Sequence, residues 1–233
     1  MANKIQILST ASLDPKFVVR AEEFGVQLDM ASFIKVSAIE SEELVERVVD
    51  LCYLPMTAVF TSVNAVKAVS DIIMAADPQW DIYCIGNATL EAVKSQFKSA
   101  EIIGIASNAK TLAEMIIEDG EEELVFFCGD KRLDTLPDTL RENDIEVFEV
   151  VVYETVLTPV VTEKDYNGIL FFSPSGVDSF FSANKIGPET VLFAIGNTTA
   201  AALKRHTDNK VIFSEAANKE KVVDYALQYF SKK

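Results

Sequence analysis

Apolar and polar positions along the chain follow two periods that alternate. Short runs rich in β-branched and aromatic residues recur: "KIQIL", "FIKVSAI", "TAVFT", "DIYCIG", "EIIGI", "LVFFCG", "VFEVVVYETV", "GILFF", "VLFAIG" and "KVIFS". Each has the length and composition of a strand. Between them, stretches such as "NAVKAVSDIIMAA" and "TAAALKRH" carry apolar residues at helical spacing. Strands alternating with amphipathic helices predict an α/β protein built on parallel sheets with helices on both faces.

One strand-to-helix junction stands out, "GILFFSPSGVDSFF" at 168–181. Its apolar run stops at Ser173-Pro174-Ser175-Gly176, and an apolar stripe resumes at Val177, Phe180 and Phe181. Two readings compete. Serine is a favoured N-cap whose hydroxyl satisfies an amide N–H of the first helical turn. Alternatively, the free N–H groups and hydroxyls of such a turn present donors to an anion. A single copy does not separate them.

The chain repeats the junction. "AVFTSVNAVKAV" aligns with "ILFFSPSGVDSF", placing Ser62 on Ser173, and "IYCIGNATLEAVK" aligns with "LFAIGNTTAAALK", placing Gly86 on Gly196. "IIGIASNAKTLAEMI" then aligns with "VIFSEAANKEKVVDYAL", Ser107 on Ser214. A weaker match joins "IQILST" to "VFFCGD" and "FIKVSAI" to "VFEVVVY". Two similar lobes are therefore expected, each with hydroxyl-rich turns at the carboxyl ends of its strands, the edge where open α/β sheets bind ligands. The turns carry Thr61, Ser62 and Asn64, then Gly86 and Thr89; the second copy carries Ser173, Ser175 and Gly176, then Gly196, Thr198 and Thr199. A cap needs one such residue, so the clustering favours a ligand-binding group, with helix N-termini of two lobes lining one cleft.

Composition narrows the ligand and the setting. At 233 residues the chain suits one large domain or two of about 100–120 residues. A formal net charge of −15, from 36 acids and 21 bases, disfavours nucleic acid and anionic membranes as partners. No basic apolar leader follows Met1 and no run approaches the ~18 apolar residues of a membrane helix, so a soluble cytoplasmic protein is expected. Cys52, Cys84 and Cys128 lie apart in or near apolar runs and read as buried thiols, without zinc or redox-pair spacing. The single histidine, His206, is expected near a helix end against terminal carbonyls, and Glu121-Glu122-Glu123 as a solvated loop or helix edge. G-x-G-x-x-G after a strand and G-x-x-x-x-G-K-[ST] are both absent, so the neutral donors suit scattered carboxylates better than a polyphosphate.

In order, "VFTSVNAV", "IGNAT", "FFSPSGV" and "AIGNTTAAAL" resemble the uroporphyrinogen-III synthase family, as does "CGDKRLDTLPDTLRENDIEVFEVVVYET" leading to Tyr153. The resemblance implies two α/β lobes, each a parallel sheet flanked by helices, joined by two crossing strands, "IKVSAI" and "VVYETV". Lobe one would comprise 1–36 and 155–233, and lobe two 37–154. It further implies cyclisation of the linear tetrapyrrole hydroxymethylbilane to uroporphyrinogen III, with loss of water, by a monomer needing no cofactor or metal. Tyr153 takes the place of the family tyrosine, as general acid or as a packed hinge residue. Substrate contacts are expected at Ser62, Asn64, Gly86, Thr89, Gly129, Ser173, Ser175, Gly176, Gly196, Thr198 and Thr199. Where family members often carry Thr-Arg after the first strand, this chain has Ser9-Thr10, which puts in doubt any substrate contact expected from that arginine, and Arg20 has no warrant to replace it. A non-catalytic two-lobed sensor of a small polyanion is the alternative.

Overall fold

A computed structural model describes residues 4–74, 76–213 and 218–231. The chain begins with β1 (Ile5–Ser9), α1 (Lys16–Glu23), β2 (Val26–Met30), β3 (Ile34–Ala38), α2 (Glu42–Cys52), β4 (Thr57–Phe60) and α3 (Val63–Ile73). It continues with β5 (Asp81–Ile85), α4 (Gly86–Gln96), β6 (Glu101–Ala106), α5 (Ala109–Asp119), β7 (Glu123–Gly129), α6 (Thr135–Arg141) and β8 (Glu146–Leu157). It closes with β9 (Gly168–Phe171), α7 (Pro174–Ala183), β10 (Val191–Ala194), α8 (Asn197–Lys204), β11 (Val211–Phe213) and α9 (Lys219–Ser231). Ser214, aligned above with Ser107, lies outside the described residues.

Two compact units form, Met1–Lys35 with Val156–Lys233, and Val36–Thr155. The unit boundaries fall within β3 and β8.

The continuous unit carries a sheet of order β3-β8-β7-β4-β5-β6, parallel from β8 through β6. Its strands are apolar on both faces, as helices on each side require. Along β4, Ala58 and Phe60 enter one core and Val59 the other; along β7, Val125 and Phe127 face the first while Leu124, Phe126 and Cys128 face the second. Phe60, Trp80, Phe97 and Phe127 form the aromatic centre of the first core, with Phe60 and Phe127 5.1 Å apart. The buried Trp80 indole donates to Leu51 O (3.1 Å), which removes the cost of burying its N–H.

The discontinuous unit carries an all-parallel sheet of order β11-β10-β9-β1-β2. Leu170 of β9 faces a core with Ile7, Phe17 and Phe193, whereas Ile169 and Phe171 face one with Leu8, Phe33 and Phe180.

From edge to edge, β2-β1-β9-β10-β11 runs in the same topological order as β8-β7-β4-β5-β6, which gives the internal repeat its structural content. β1 matches β7, but the counterpart of β8 is β2, not the segment "FIKVSAI". β2 escapes a search for apolar runs because Gln27 and Asp29 interrupt it; only Val26 and Leu28 are buried. As an edge strand it needs one apolar face only.

The three cysteines are free and buried. His206 differs from expectation: its ring stacks on Phe181 (centroids 4.8 Å apart) and Nε2 lies 3.1 Å from Asp178 Oδ1, so its side chain pairs with α7 instead of helix-terminal carbonyls. Glu121 precedes β7 and accepts from Thr57 Oγ1 (2.7 Å), while Glu122 and Glu123 are exposed. Among the described residues no helix is long and apolar enough to cross a membrane.

Candidate active site

Parallel strands aim their carboxyl ends, and the turns that follow, at one edge of the sheet. In the continuous unit that edge gathers Ser62 after β4, Gly129 at the end of β7 and Tyr153 on β8. The β7–β8 register shifts at Cys128/Gly129, bringing Gly129 opposite Tyr153. Asp130 N–H donates to Tyr153 O (3.1 Å), and Asp130 Oδ1 accepts from Thr155 N–H (2.7 Å), which clasps the turn to the strand. The same turn is anchored further along. Glu149 of β8 accepts from Arg132, and also from Arg141 Nη2 (2.8 Å). Burial opposes charge on Glu149, but the bonds from Arg132 and Arg141 outweigh it and hold the carboxyl below its ordinary pKa.

The Tyr153 phenol meets Ser62. Ser62 is the N-cap of α3: its Oγ accepts from Ala65 N–H (3.2 Å) and donates to Tyr153 Oη (3.1 Å). One hydroxyl thus closes a helix terminus and fixes a phenol. Burial pushes the Tyr153 pKa above 10, partly offset by the Ser62 bond, so the phenol is protonated at neutral pH. Tyr153 also lines a cavity of about 200 Å³ with Asn64, Lys67, Ala68 and Asp71 of α3 and Val36 and Ala38 of β3. Lys67 and Asp71 gave no sequence signal; in "NAVKAVSD" they read as exposed helix positions.

The next turn of this unit, after β5, begins α4. Gly86 sits at φ +78°, a left-handed conformation that L side chains rarely adopt. Thr89 lies inside, 4% exposed.

The discontinuous unit repeats these turns with differences. Ser173 caps α7 by accepting from Gly176 N–H (3.0 Å), with Pro174 in the first turn and Ser175 half-buried beside it. Gly176 is buried, and an added Cβ would come within 3.3 Å of Ser173 Oγ. Gly196 is the extended N-cap of α8, with no atom within 4 Å of where a Cβ would stand. Thr198 is exposed and Thr199 is 1% exposed. After β1, Thr10 donates to Leu170 O (2.8 Å) and is buried. Arg20 is paired with Asp224 (2.8 Å) on α9.

The structure therefore brings Tyr153, Ser62, Gly129 and Asn64 to one edge of the continuous unit, with Gly86 and Thr89 on its neighbouring turn. Ser173, Ser175, Gly176, Gly196, Thr198 and Thr199 form the corresponding turns of the discontinuous unit. Among the described residues no group of three or more His, Cys, Asp or Glu is placed to hold a metal ion.

The architecture and the sequence have known relatives. A family model described as Uroporphyrinogen-III synthase HemD matches residues 15–224. The fold is similar to a uroporphyrinogen III synthase of the extremely thermophilic bacterium Thermus thermophilus, with TM-score 0.70 and 16% identity over 98% of each chain. It is similar also to the uroporphyrinogen-III synthetase of Helicobacter pylori, with TM-score 0.67 and 15% identity over 97% of this chain and 99% of that one. At such identities the structural likeness establishes the fold, and the family match over most of the chain establishes the relationship: the chain belongs to the uroporphyrinogen-III synthase family.

Proposed function

We propose that Tyr153, seated on Gly129 and bonded to Ser62, is the proton donor for the family's reaction in this chain. That reaction is the cyclisation of hydroxymethylbilane to uroporphyrinogen III with inversion of the last pyrrole ring and loss of water. The carrying observation is the 3.1 Å contact between Ser62 Oγ and Tyr153 Oη. By donating to the phenol oxygen, Ser62 leaves the phenol's own proton free for the substrate.

The chemistry asks for one weak acid and much positioning. The phenol protonates the terminal hydroxyl, pyrrole nitrogen electrons expel it as water, and an azafulvene cation remains. The far pyrrole attacks through its substituted carbon to give a spiro intermediate, which fragments and recloses with the last ring inverted. Loss of a ring proton at closure returns to the phenolate the proton it gave. The conversion is a redox-neutral dehydration, and the family resemblance calls for no cofactor or metal. Favouring spiro closure over direct closure is an orientation effect.

Substrate carboxylates are assigned to the turns that carry Ser62, Asn64, Gly86, Thr89 and Gly129 in one unit and Ser173, Ser175, Gly176, Gly196, Thr198 and Thr199 in the other, with the Ser62 turn contributing backbone N–H groups because the Ser62 hydroxyl proton is held by Tyr153. The open space at Gly196 supports close approach of a ligand to its backbone. Thr89 and Thr199, being buried, serve better to shape their turns than to reach a ligand. The same reading has lobes of 1–36 with 155–233 and 37–154, a monomeric state, a cytoplasmic location and no nucleic-acid partner, the last supported by the net charge of −15.

Fresh hydroxymethylbilane supplied to the purified chain, with the uroporphyrin isomers separated after oxidation, tests the proposal. Type III isomer is expected, with and without chelator. Type I alone, formed at the uncatalysed rate, overturns it.

A further inference from the structure

We infer that Lys67 binds a carboxylate arm of the substrate beside Tyr153, a role that rests on the function proposed above. Lys67 stands three residues beyond Asn64 on α3, so the two share a helix face. Both line the cavity of about 200 Å³ that Tyr153 also lines, with Val36 and Ala38 from β3. This volume lies below the ~300–1,000 Å³ of pockets that enclose a whole drug-sized ligand. It fits one carboxylate-bearing arm, with the pyrrole body outside.

The charge arrangement points the same way. Several other bases of this acidic chain face carboxylates: Arg20 meets Asp224, Lys164 meets Asp29, and Arg132 and Arg141 meet Glu149. Among the described residues Lys67 has no ion pair, which is true also of Lys35, Arg47 and Lys98, but Lys67 is the base that lines the cavity with Tyr153. Asp71, four residues on, lines the same cavity without bonding to it. Asp71 offsets the ammonium only in part because the two do not pair, and the positive charge left near the phenol opposes a cationic intermediate by simple repulsion. A substrate carboxylate on Lys67 cancels that charge, so this lysine favours a substrate whose arm is ionised over one whose arm is missing or neutral. Asn64 supplies an amide donor on the same wall, which gives the carboxylate a second bond.

Lys67→Met, Lys67→Arg and Lys67→Glu, assayed with hydroxymethylbilane at low and high salt, test the inference. Parent activity is established first: failure of the parent to form type III isomer removes the functional proposal and this one together, and is recognised before any variant is compared. With an active parent, Lys67→Met is expected to raise KM about five- to tenfold while kcat falls less than threefold, the size of one charge-assisted hydrogen bond at a partly exposed site. Lys67→Arg restores most of the affinity, and Lys67→Glu raises KM further, with partial relief by salt. The KM of the parent rises with salt more steeply than that of Lys67→Met. Lys67 is exposed on its helix, and emission of the buried Trp80 in the same unit checks that each variant is folded. A Lys67→Met variant with the KM and salt dependence of the parent overturns the inference.

Discussion

The ring of Tyr153 occupies the space that a side chain at Gly129 would need. A Cβ built on Gly129 falls 2.4 Å from Cε2 and Cζ of Tyr153 and 2.8 Å from its hydroxyl. The two residues are cross-strand partners just where the β7–β8 register shifts. Glycine at 129 is therefore a steric condition for the position of the phenol.

Gly129→Ala should displace the Tyr153 ring, because β7 and β8 are held by main-chain bonds while the ring can move. Overpacking of this kind costs about 1–3 kcal/mol when it must be absorbed in a packed site. Since Tyr153 is half-buried, the ring escapes and the lower end is expected. The larger effect is on turnover, at least tenfold, because the phenol leaves Ser62. Thermal melting and kcat measured together check this; a variant with parent-like kcat would show that the phenol position is immaterial to the reaction.

Tyr153→Phe keeps the ring on Gly129 and removes the proton. A general acid contributes about 10²- to 10⁴-fold, and water can replace this one, so a loss of about 10²-fold or less in kcat is expected, with KM changed little. The pH profile carries a second expectation. The folded pKa of Tyr153 is raised above the ordinary 10 by burial, so the protonated form is favoured in the native state. Its contribution to stability is complete below pH 10 and fades as pH rises past the folded value. Parent kcat should show no loss attributable to this phenol below pH 10. A Tyr153→Phe enzyme that turns over like the parent would leave the residue a packing element.

Ser62 and Ser173 give a matched pair, since each caps a helix through one bond, to Ala65 N–H and Gly176 N–H respectively. Alanine at either should cost about 1 kcal/mol of stability. Only Ser62 also holds the phenol. Ser62→Ala should therefore lower kcat severalfold beyond whatever Ser173→Ala does at equal loss of melting temperature. Equal kcat values would separate the cap from the chemistry.

The parallel sheets, the repeat and the family were legible in the sequence because each leaves a local mark: apolar runs, serine-rich strand ends and an ordered set of motifs. β2 was not, since Gln27 and Asp29 break its pattern at a sheet edge. The bond from Ser62 to Tyr153 joins residues 91 positions apart, and no spacing rule reaches that far. Likewise Gly129 was expected to meet the ligand, and its crowding by Tyr153 depends on a register shift that only the strand pairing reveals. The placement of Lys67 in one cavity with Tyr153 had no mark at all, because an exposed lysine on a helix is ordinary until the strands beside it are known.

Capping and anion binding can be separated by adding charge. Aspartate caps as well as serine and suits a helix N-terminus, so at an exposed first-turn position it should be harmless to stability. Ser175 is half-buried and Thr198 exposed, each within the first turn of its helix. If these residues face substrate carboxylates, Ser175→Asp and Thr198→Asp set like charges together. Repulsion at ~4 Å and an effective dielectric of ~20 is of order 4 kcal/mol before relaxation and screening. A third of that weakens binding about tenfold. Both variants should melt within about 1 kcal/mol of the parent and show KM raised about tenfold, partly relieved by salt. Thr199→Asp should behave differently, because at 1% exposure the new carboxylate is buried without a charged partner, and stability falls before binding is tested. Ser107→Asp, in the turn before α5 where Asn108 supplies the cap, is the control and should leave KM unchanged. Parent-like kinetics in Ser175→Asp and Thr198→Asp would return both turns to a purely structural role.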